Sequence, residues 1–66
     1  MQPEIDVSVI IPAFNAQATI GYLLHGLLSE QTFSIEVIVV DDGSTDETST
    51  ILSAITDERL ILVHQE

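Results

Sequence analysis

Two short polar segments carry the residue types that could bind a ligand. They are residues 12–15, Pro-Ala-Phe-Asn, and residues 41–44, Asp-Asp-Gly-Ser. The ring of Phe14 offers a flat apolar face to a nucleobase, and the Asp42 carboxylate can accept hydrogen bonds from a ribose hydroxyl or a base N–H. The alternative interpretation is structural, with the first segment ending a strand and capping a helix and the second forming a tight turn with a cap.

Three short apolar runs predict the strands that must position these segments. They cover residues 7–11, 35–40 and 59–64. The first strand is expected to end before Pro12, because proline cannot donate a hydrogen bond to a ladder. The second run is apolar on both sides, which is typical of a parallel strand covered on both faces. Each polar segment therefore directly follows a predicted strand.

Two helices are predicted between the strands. Asn15 is the expected N-cap of the first, which extends to about residue 31, and Ser44 with Glu47 forms the expected capping box of the second. The apolar stripes that define the helices are Ala16, Ile20, Leu23, Leu24, Leu27 and Leu28 in the first, and Thr48, Ile51, Leu52 and Ile55 in the second.

The element order β-α-β-α-β predicts an α/β fold with a three-stranded parallel sheet. Crossovers of this kind are right-handed in about 98% of cases. If the strands lie in sequence order, both helices cover one face, and we expect the other face, which includes Ile10, to be covered by something outside these 66 residues. Ligands of open parallel sheets bind beyond the carboxyl ends of the strands. Residues 12–15 and 41–44 lie there.

Length and charge exclude several classes of function. The chain has 66 residues, no cysteine, a single basic residue, Arg59, and a formal net charge of −10. A domain usually has about 100–200 residues, so the chain is at most one small domain or part of one. Nucleic-acid binding and attraction to anionic membranes both need several basic side chains. The N-terminus lacks a basic region and a long apolar run, so we expect a cytoplasmic location.

Other site motifs are absent or weak. No Gly-x-Gly-x-x-Gly follows the first strand, and without lysine there is no phosphate-binding P-loop. Asp41 and Asp42 alone supply few of the six to eight oxygens that Ca²⁺ takes, so no dedicated metal site is predicted. His25 and His64 have no recognisable nucleophile partner and are expected to be structural or exposed.

Residues 7–15 and 36–48 together resemble the family 2 glycosyltransferases of GT-A fold, and the similarity extends from about Asp6 to Val63. Residues 31–33, Gln-Thr-Phe, also resemble a Gln-Thr-aromatic stretch of that family. The resemblance implies half of a Rossmann-like fold and transfer of a sugar from a nucleotide-diphosphate donor to an acceptor. A UDP-sugar is the expected ligand.

The resemblance also implies roles for individual residues. Pro12, Ala13 and Phe14 match the loop that lines the nucleotide base. Asp42, with Asp41 beside it, matches the acidic residue that hydrogen-bonds the base or ribose. Gly43 and Ser44 match the turn that follows. Ala16 departs from the family pattern, which often has Glu at this position.

Two functional parts of the resembled family have no counterpart in this chain. They are a later Asp-x-Asp motif that holds Mg²⁺ or Mn²⁺ and a further acidic residue that acts as general base. We therefore expect residues 1–66 to be the N-terminal nucleotide-binding part of a GT-A domain, truncated before the metal motif, inactive alone and without bound metal. Self-association through the uncovered sheet face or an edge strand is also expected. The alternative function is a non-catalytic α/β protein-interaction module.

Overall fold

The architecture follows the predicted order of strands and helices. The computed structural model describes residues 4–29 and 32–65. Strands β1 (Val7–Ala13), β2 (Ile35–Asp42) and β3 (Leu60–Gln65) alternate with helices α1 (Ile20–Leu28) and α2 (Thr48–Ser53). The strands pair in parallel in the order β1-β2-β3. The α/β prediction is therefore confirmed.

Both helices pack on the same face of the sheet. Along β2, every second side chain is buried, and Val37 and Val39 lose all contact with solvent. Leu24 of α1 and Leu52 of α2 are buried in the same cluster. The complete buried apolar core comprises Ala13, Ile20, Leu24, Ile35, Val37, Val39 and Leu52. One apolar layer thus holds the three strands beneath two helices, as the order of the strands requires.

The opposite face of the sheet is apolar and uncovered by any described residue. We call it the apolar sheet face. The strand register places six of its side chains in two rows across the strands, Ile10–Ile38–Ile61 and Pro12–Val40–Val63. Ile10 at the β1 edge is 67% exposed and Ile61 on β3 is 45% exposed. The prediction of a bare second face is confirmed for the described part of the chain.

The ends of the elements differ from the predictions. β1 passes through Pro12 to Ala13 because β1 is an edge strand, where a missing N–H is tolerated. β2 continues through Asp41 and Asp42, which pair with β3. α1 ends at Leu28, short of the predicted residue 31. Residue 31 itself lies outside the described residues.

Both predicted helix caps are wrong. The N-cap residues are Thr19 and Glu47, and neither side chain makes a capping hydrogen bond. Asn15 precedes α1 by several residues, and its φ of 47° is in the left-handed region. Ser44 likewise lies before the N-cap of α2. The side chains of Asn15 and Ser44 instead bond across to each other's loops, which competes with local capping.

The apolar stripes are largely as predicted. Thr48 and Leu52 of α2 are buried, and Ile51 and Ile55 pack against the core. Leu23, by contrast, is 46% exposed on α1. No helix in residues 4–29 and 32–65 is long and apolar enough to span a membrane.

Candidate functional site

The candidate site lies where β1 and β2 end side by side. Ala13 and Asp41 are partners in the register, so the segments after them leave the same edge of the sheet. Phe14 is 61% exposed there, and Asp42 is also exposed. We call residues 14–17 and 43–48 the strand-end loops. The sheet thus places an exposed aromatic ring and an exposed carboxylate at one edge.

Asn15 joins one strand-end loop to the other. Its N–H donates to the Ser44 Oγ at 3.0 Å, and its Oδ1 accepts from the Thr45 N–H at 2.8 Å. The left-handed backbone conformation of Asn15 costs less free energy than it would in most other residues, because asparagine tolerates this conformation. Two hydrogen bonds from one residue therefore fix the loops on either side of the candidate site.

A second set of bonds extends this connection toward the helices. The Gln17 N–H donates to the Asp46 Oδ2 at 3.3 Å, and the Gln17 Oε1 accepts from the Glu47 N–H at 2.8 Å. The Ala16 N–H donates to the Thr48 Oγ1 at 2.8 Å. Together with the bonds of Asn15, these contacts make the two strand-end loops one hydrogen-bonded unit.

Asp41 lies beneath this unit with its carboxylate in the protein interior. The side chain is 2% exposed and accepts hydrogen bonds from the Ser44 hydroxyl at 2.5 Å and from the Ser49 hydroxyl. The Nδ1 of His64 on β3 lies 3.5 Å from the Asp41 Oδ2. The hydrogen bonds from Ser44 and Ser49 lower the pKa of Asp41, because they stabilise its charged form. The ionised Asp41 carboxylate therefore connects β2 to α2 through Ser49 and lies against His64 of β3.

Asp46 is held ionised in a similar way. Burial favours its neutral form and would raise its pKa. The Thr48 hydroxyl donates to the Asp46 Oδ1 at 2.5 Å, and the Thr48 and Gln17 N–H groups add further bonds. These hydrogen bonds outweigh the burial, so the pKa of Asp46 is lowered.

The neighbouring carboxylates of Asp41 and Asp42 do not fit a shared metal ion. Consecutive strand residues point to opposite faces of a sheet, and here Asp41 is buried beneath α2 whereas Asp42 is exposed. Among residues 4–29 and 32–65, no three His, Asp or Glu side chains lie close enough together to hold a metal ion. The Mg²⁺ or Mn²⁺ implied by the family resemblance therefore has no fitting ligand set in this part of the chain.

The predicted nucleotide-binding residues meet at one sheet edge but differ in exposure. Pro12, Phe14, Asp42 and Gly43 are exposed, whereas the side chains of Ala13 and Asp41 face the core. Gly43 adopts a φ of 70°, which glycine accepts without steric cost. The side chains available to a ligand are thus those of Pro12, Phe14 and Asp42.

Sequence reasoning missed the linking roles of Asn15, Gln17 and Thr48. Positive φ is several-fold enriched in asparagine, which is a weak signal that Asn15 could turn the chain instead of capping a helix. The bonds themselves join residues about 30 positions apart, with separations of 29 to 32. No local pattern predicts contacts at such distances.

Among the described residues, no lysine or arginine lies at this edge of the sheet, where the His64 imidazole lies beside Asp41. Arg59 precedes β3 at the opposite edge, where its guanidinium pairs with the Asp57 carboxylate at 2.9 Å and donates to the Leu28 carbonyl. The hydrogen bond with Asp57 raises the pKa of Arg59. A cavity of about 540 Å³ lies between α1 and α2, and none of the predicted nucleotide-binding residues lines it. The strand-end loops can therefore offer an aromatic face and oxygen acceptors, but no cation.

Comparison with known proteins identifies the family of the chain. The family model described as glycosyl transferase family 2 matches residues 8–66, which is nearly the whole chain. The chain belongs to that family.

Two relatives illustrate the similarity. The chain is 42% identical over 57 residues to the UDP-Glc:alpha-D-GlcNAc-diphosphoundecaprenol beta-1,3-glucosyltransferase WfaP of Escherichia coli, covering 86% of this chain and 23% of that protein. It is 47% identical over 45 residues to a 4,4'-diaponeurosporenoate glycosyltransferase of Staphylococcus aureus strain USA300, covering 68% of this chain and 12% of that protein. The chain thus spans less than a quarter of the length of either relative. No solved structure gives a significant match.

Proposed function

We propose that this chain is the N-terminal nucleotide-binding part of a glycosyltransferase that uses a nucleotide-diphosphate sugar, with the base and ribose bound at the carboxyl ends of β1 and β2, beside the strand-end loops. The observation that carries the proposal is the placement of exposed Phe14 and exposed Asp42 at the carboxyl ends of adjacent parallel strands. The name of the E. coli relative includes UDP-Glc, which supports a UDP-sugar as the donor.

Within this proposal each residue has a distinct task. Pro12 and Phe14 line the base, with Ala13 supporting them from the core side. The Asp42 carboxylate accepts from a base N–H or a ribose hydroxyl, and the absence of a side chain at Gly43 lets the backbone approach the nucleotide. Asp41 acts from the interior, through the Ser44 and Ser49 hydroxyls that donate hydrogen bonds to its carboxylate.

The charge distribution predicts which part of the donor is bound. The candidate edge carries Asp42 and Asp46 and no lysine or arginine, and the His64 imidazole there lies against the Asp41 carboxylate, so a diphosphate gains little favourable contact. We therefore expect uridine to bind this chain at least as tightly as UDP does. This preference would be reversed in a protein that supplies a metal ion beside the diphosphate.

A nucleoside titration tests the proposal with two matched phenylalanines. Phe14 and Phe33 are similarly exposed, at 61% and 56%, but Phe33 precedes β2 at the other edge of the sheet. With uridine at millimolar concentration, we expect amide shifts centred on Phe14, Asp42 and Gly43. Phe14→Ala should weaken binding about fivefold or more, because base–aromatic stacking is worth about 1–3 kcal/mol. Phe33→Ala should leave it unchanged.

Two results would contradict the proposal. One is the absence of amide shifts in the folded chain at millimolar uridine. The other is an equal loss of affinity in Phe14→Ala and Phe33→Ala, which would place the nucleoside elsewhere or show non-specific stacking.

We further propose that the 66-residue chain does not transfer sugar by itself. Asp41 and Asp42 diverge, and the described residues offer no cluster that could hold the metal next to a diphosphate. UDP release from UDP-glucose with Mg²⁺ should equal that of a protein-free control, and release above it would refute this part of the proposal. A cytoplasmic location stays a prediction.

A further inference from the structure

We propose that Asp41, acting through Ser44, is a positioning residue that sets the spacing between the two strand-end loops and hence between Phe14 and Asp42. This inference rests on the proposed nucleotide site, but its structural part can be measured without any ligand. The geometry that carries it is a continuous line of hydrogen bonds from the Asn15 N–H to the Ser44 hydroxyl and on to the buried Asp41 carboxylate.

The direction of each bond in this line is fixed. A serine hydroxyl has one proton to donate and lone pairs that accept, whereas an ionised carboxylate only accepts. Ser44 must therefore donate to the Asp41 Oδ1, which turns its lone pairs toward the Asn15 N–H. Without an acceptor at Asp41, the Ser44 hydroxyl would be free to rotate, and the bond to Asn15 would lose its fixed direction.

The line also joins the two segments that carry the ligand contacts. Asn15 directly follows Phe14 in the chain, and Ser44 follows Asp42 by two residues. The carboxylate at the other end belongs to β2 and is 2% exposed, so it is a fixed anchor. Changing this anchor should move the loops relative to each other without removing either ligand contact.

Ser49 provides a matched control within the same cluster. Its hydroxyl also donates to the Asp41 carboxylate, at Oδ2, but it belongs to α2 and is not part of the line of hydrogen bonds to Asn15. Ser44→Ala and Ser49→Ala each remove one hydroxyl from the same carboxylate. Only Ser44→Ala interrupts the line to Asn15.

The experiment compares Ser44→Ala, Ser44→Thr and Ser49→Ala in the full chain. The first measurement is hydrogen exchange of the Asn15 amide relative to the core amide of Val39, which corrects for changes in global stability. We expect Ser44→Ala to raise this ratio at least fivefold, Ser44→Thr to restore most of it, and Ser49→Ala to leave it unchanged.

The second measurement is the affinity for uridine in the same variants. Ser44→Ala should weaken it at least threefold, with rescue by Ser44→Thr and no effect of Ser49→Ala. Asp41→Ala, which removes the acceptor of the Ser44 hydroxyl, should resemble Ser44→Ala in both measurements. If Asp41→Ala does not fold, the serine variants alone decide.

The outcomes separate this inference from the proposed function. If uridine fails to bind the unmodified chain, the proposed function fails, and the amide exchange still decides whether Asp41 and Ser44 position the loop. Equal exchange ratios in Ser44→Ala and Ser49→Ala would overturn the positioning role. So would a changed ratio in Ser44→Ala with unchanged uridine affinity, because the loop spacing would then not matter to the ligand.

Discussion

At the scale of single residues, Asp41 and Asp42 show how two identical side chains acquire different environments from their positions on a strand. They are neighbours in the chain, yet one carboxylate is enclosed by two serine hydroxyls and the other faces solvent. The alternation of side chains along a strand is the cause, because it sends consecutive residues to opposite faces. Two adjacent acidic residues at the end of a strand therefore do not act together, because their carboxylates lie on opposite faces of the sheet.

The lowered pKa of Asp41 predicts a specific dependence of stability on pH. A carboxyl whose pKa is lower in the folded chain stabilises it above the unfolded value of about 3.9, and that contribution is lost as pH falls through the folded value. We expect the free energy of unfolding, measured with urea at several pH values, to fall less steeply below pH 4 in Asp41→Asn than in the unmodified chain.

Other groups provide the control for this comparison. Asp46 and Asp57 also have lowered pKa values, so part of the acid sensitivity should remain in Asp41→Asn. Identical slopes in Asp41→Asn and the unmodified chain would contradict the prediction.

At the scale of elements, the apolar spacing identified the helices but not where they begin. Periodicity in α1 and α2 reports burial against the sheet, which is the main source of helix stability in a small domain. Where each helix begins depends on the hydrogen-bond partners of the Asn15 and Ser44 side chains. The Asn15 Oδ1 accepts from the Thr45 N–H and the Ser44 Oγ accepts from the Asn15 N–H, so both side chains bond to the opposite loop instead of capping a helix. The strand ends show the same limit, since β1 could pass through Pro12 only because it is an edge strand.

The sequence predicted where the candidate site lies in the fold, but not which side-chain contacts hold it together. Its location followed from two polar segments after two parallel strands, and the structure puts both at one edge. The burial of Asp41 and the bonds of Gln17 could not be foreseen, because they depend on side chains brought together from distant parts of the chain.

Adjacent leucines in α1 give a test at this scale. Leu24 is fully buried between the helices and the sheet, whereas Leu23 is 46% exposed. Leu24→Ala should lower the free energy of unfolding by about 2–5 kcal/mol, and an exposed substitution such as Leu23→Ala should change it by about 0.5 kcal/mol or less. Urea unfolding followed by circular dichroism measures both, and similar losses in the two variants would contradict the observed orientation of α1.

At the scale of the whole molecule, two properties oppose each other. The apolar sheet face favours contact with a second copy, while a net charge of −10 repels it. Salt weakens this repulsion, since the Debye length falls from about 10 Å at 0.1 M to about 3 Å at 1 M. The burial of apolar surface does not weaken in the same way.

Self-association should therefore increase with salt. We expect light scattering to give a higher average mass in 1 M than in 0.1 M NaCl. Ile10→Glu, on the apolar sheet face, should lower that mass, whereas Tyr22→Glu, at a residue of α1 that is 89% exposed, should not. A monomer at both salt concentrations, or equal effects of the two substitutions, would show that the face does not drive association.

The hydrogen bonds between the strand-end loops have a consequence for the folding equilibrium. They join groups 29 to 32 residues apart, so the site does not exist in the unfolded chain. A nucleoside that binds there as proposed would bind only the folded chain. By mass action it would raise the free energy of unfolding by about 2.7 kcal/mol when its free concentration is a hundred times its Kd. For a chain of this length, the concentration of its ligand in the surroundings would help to decide how much of it is folded.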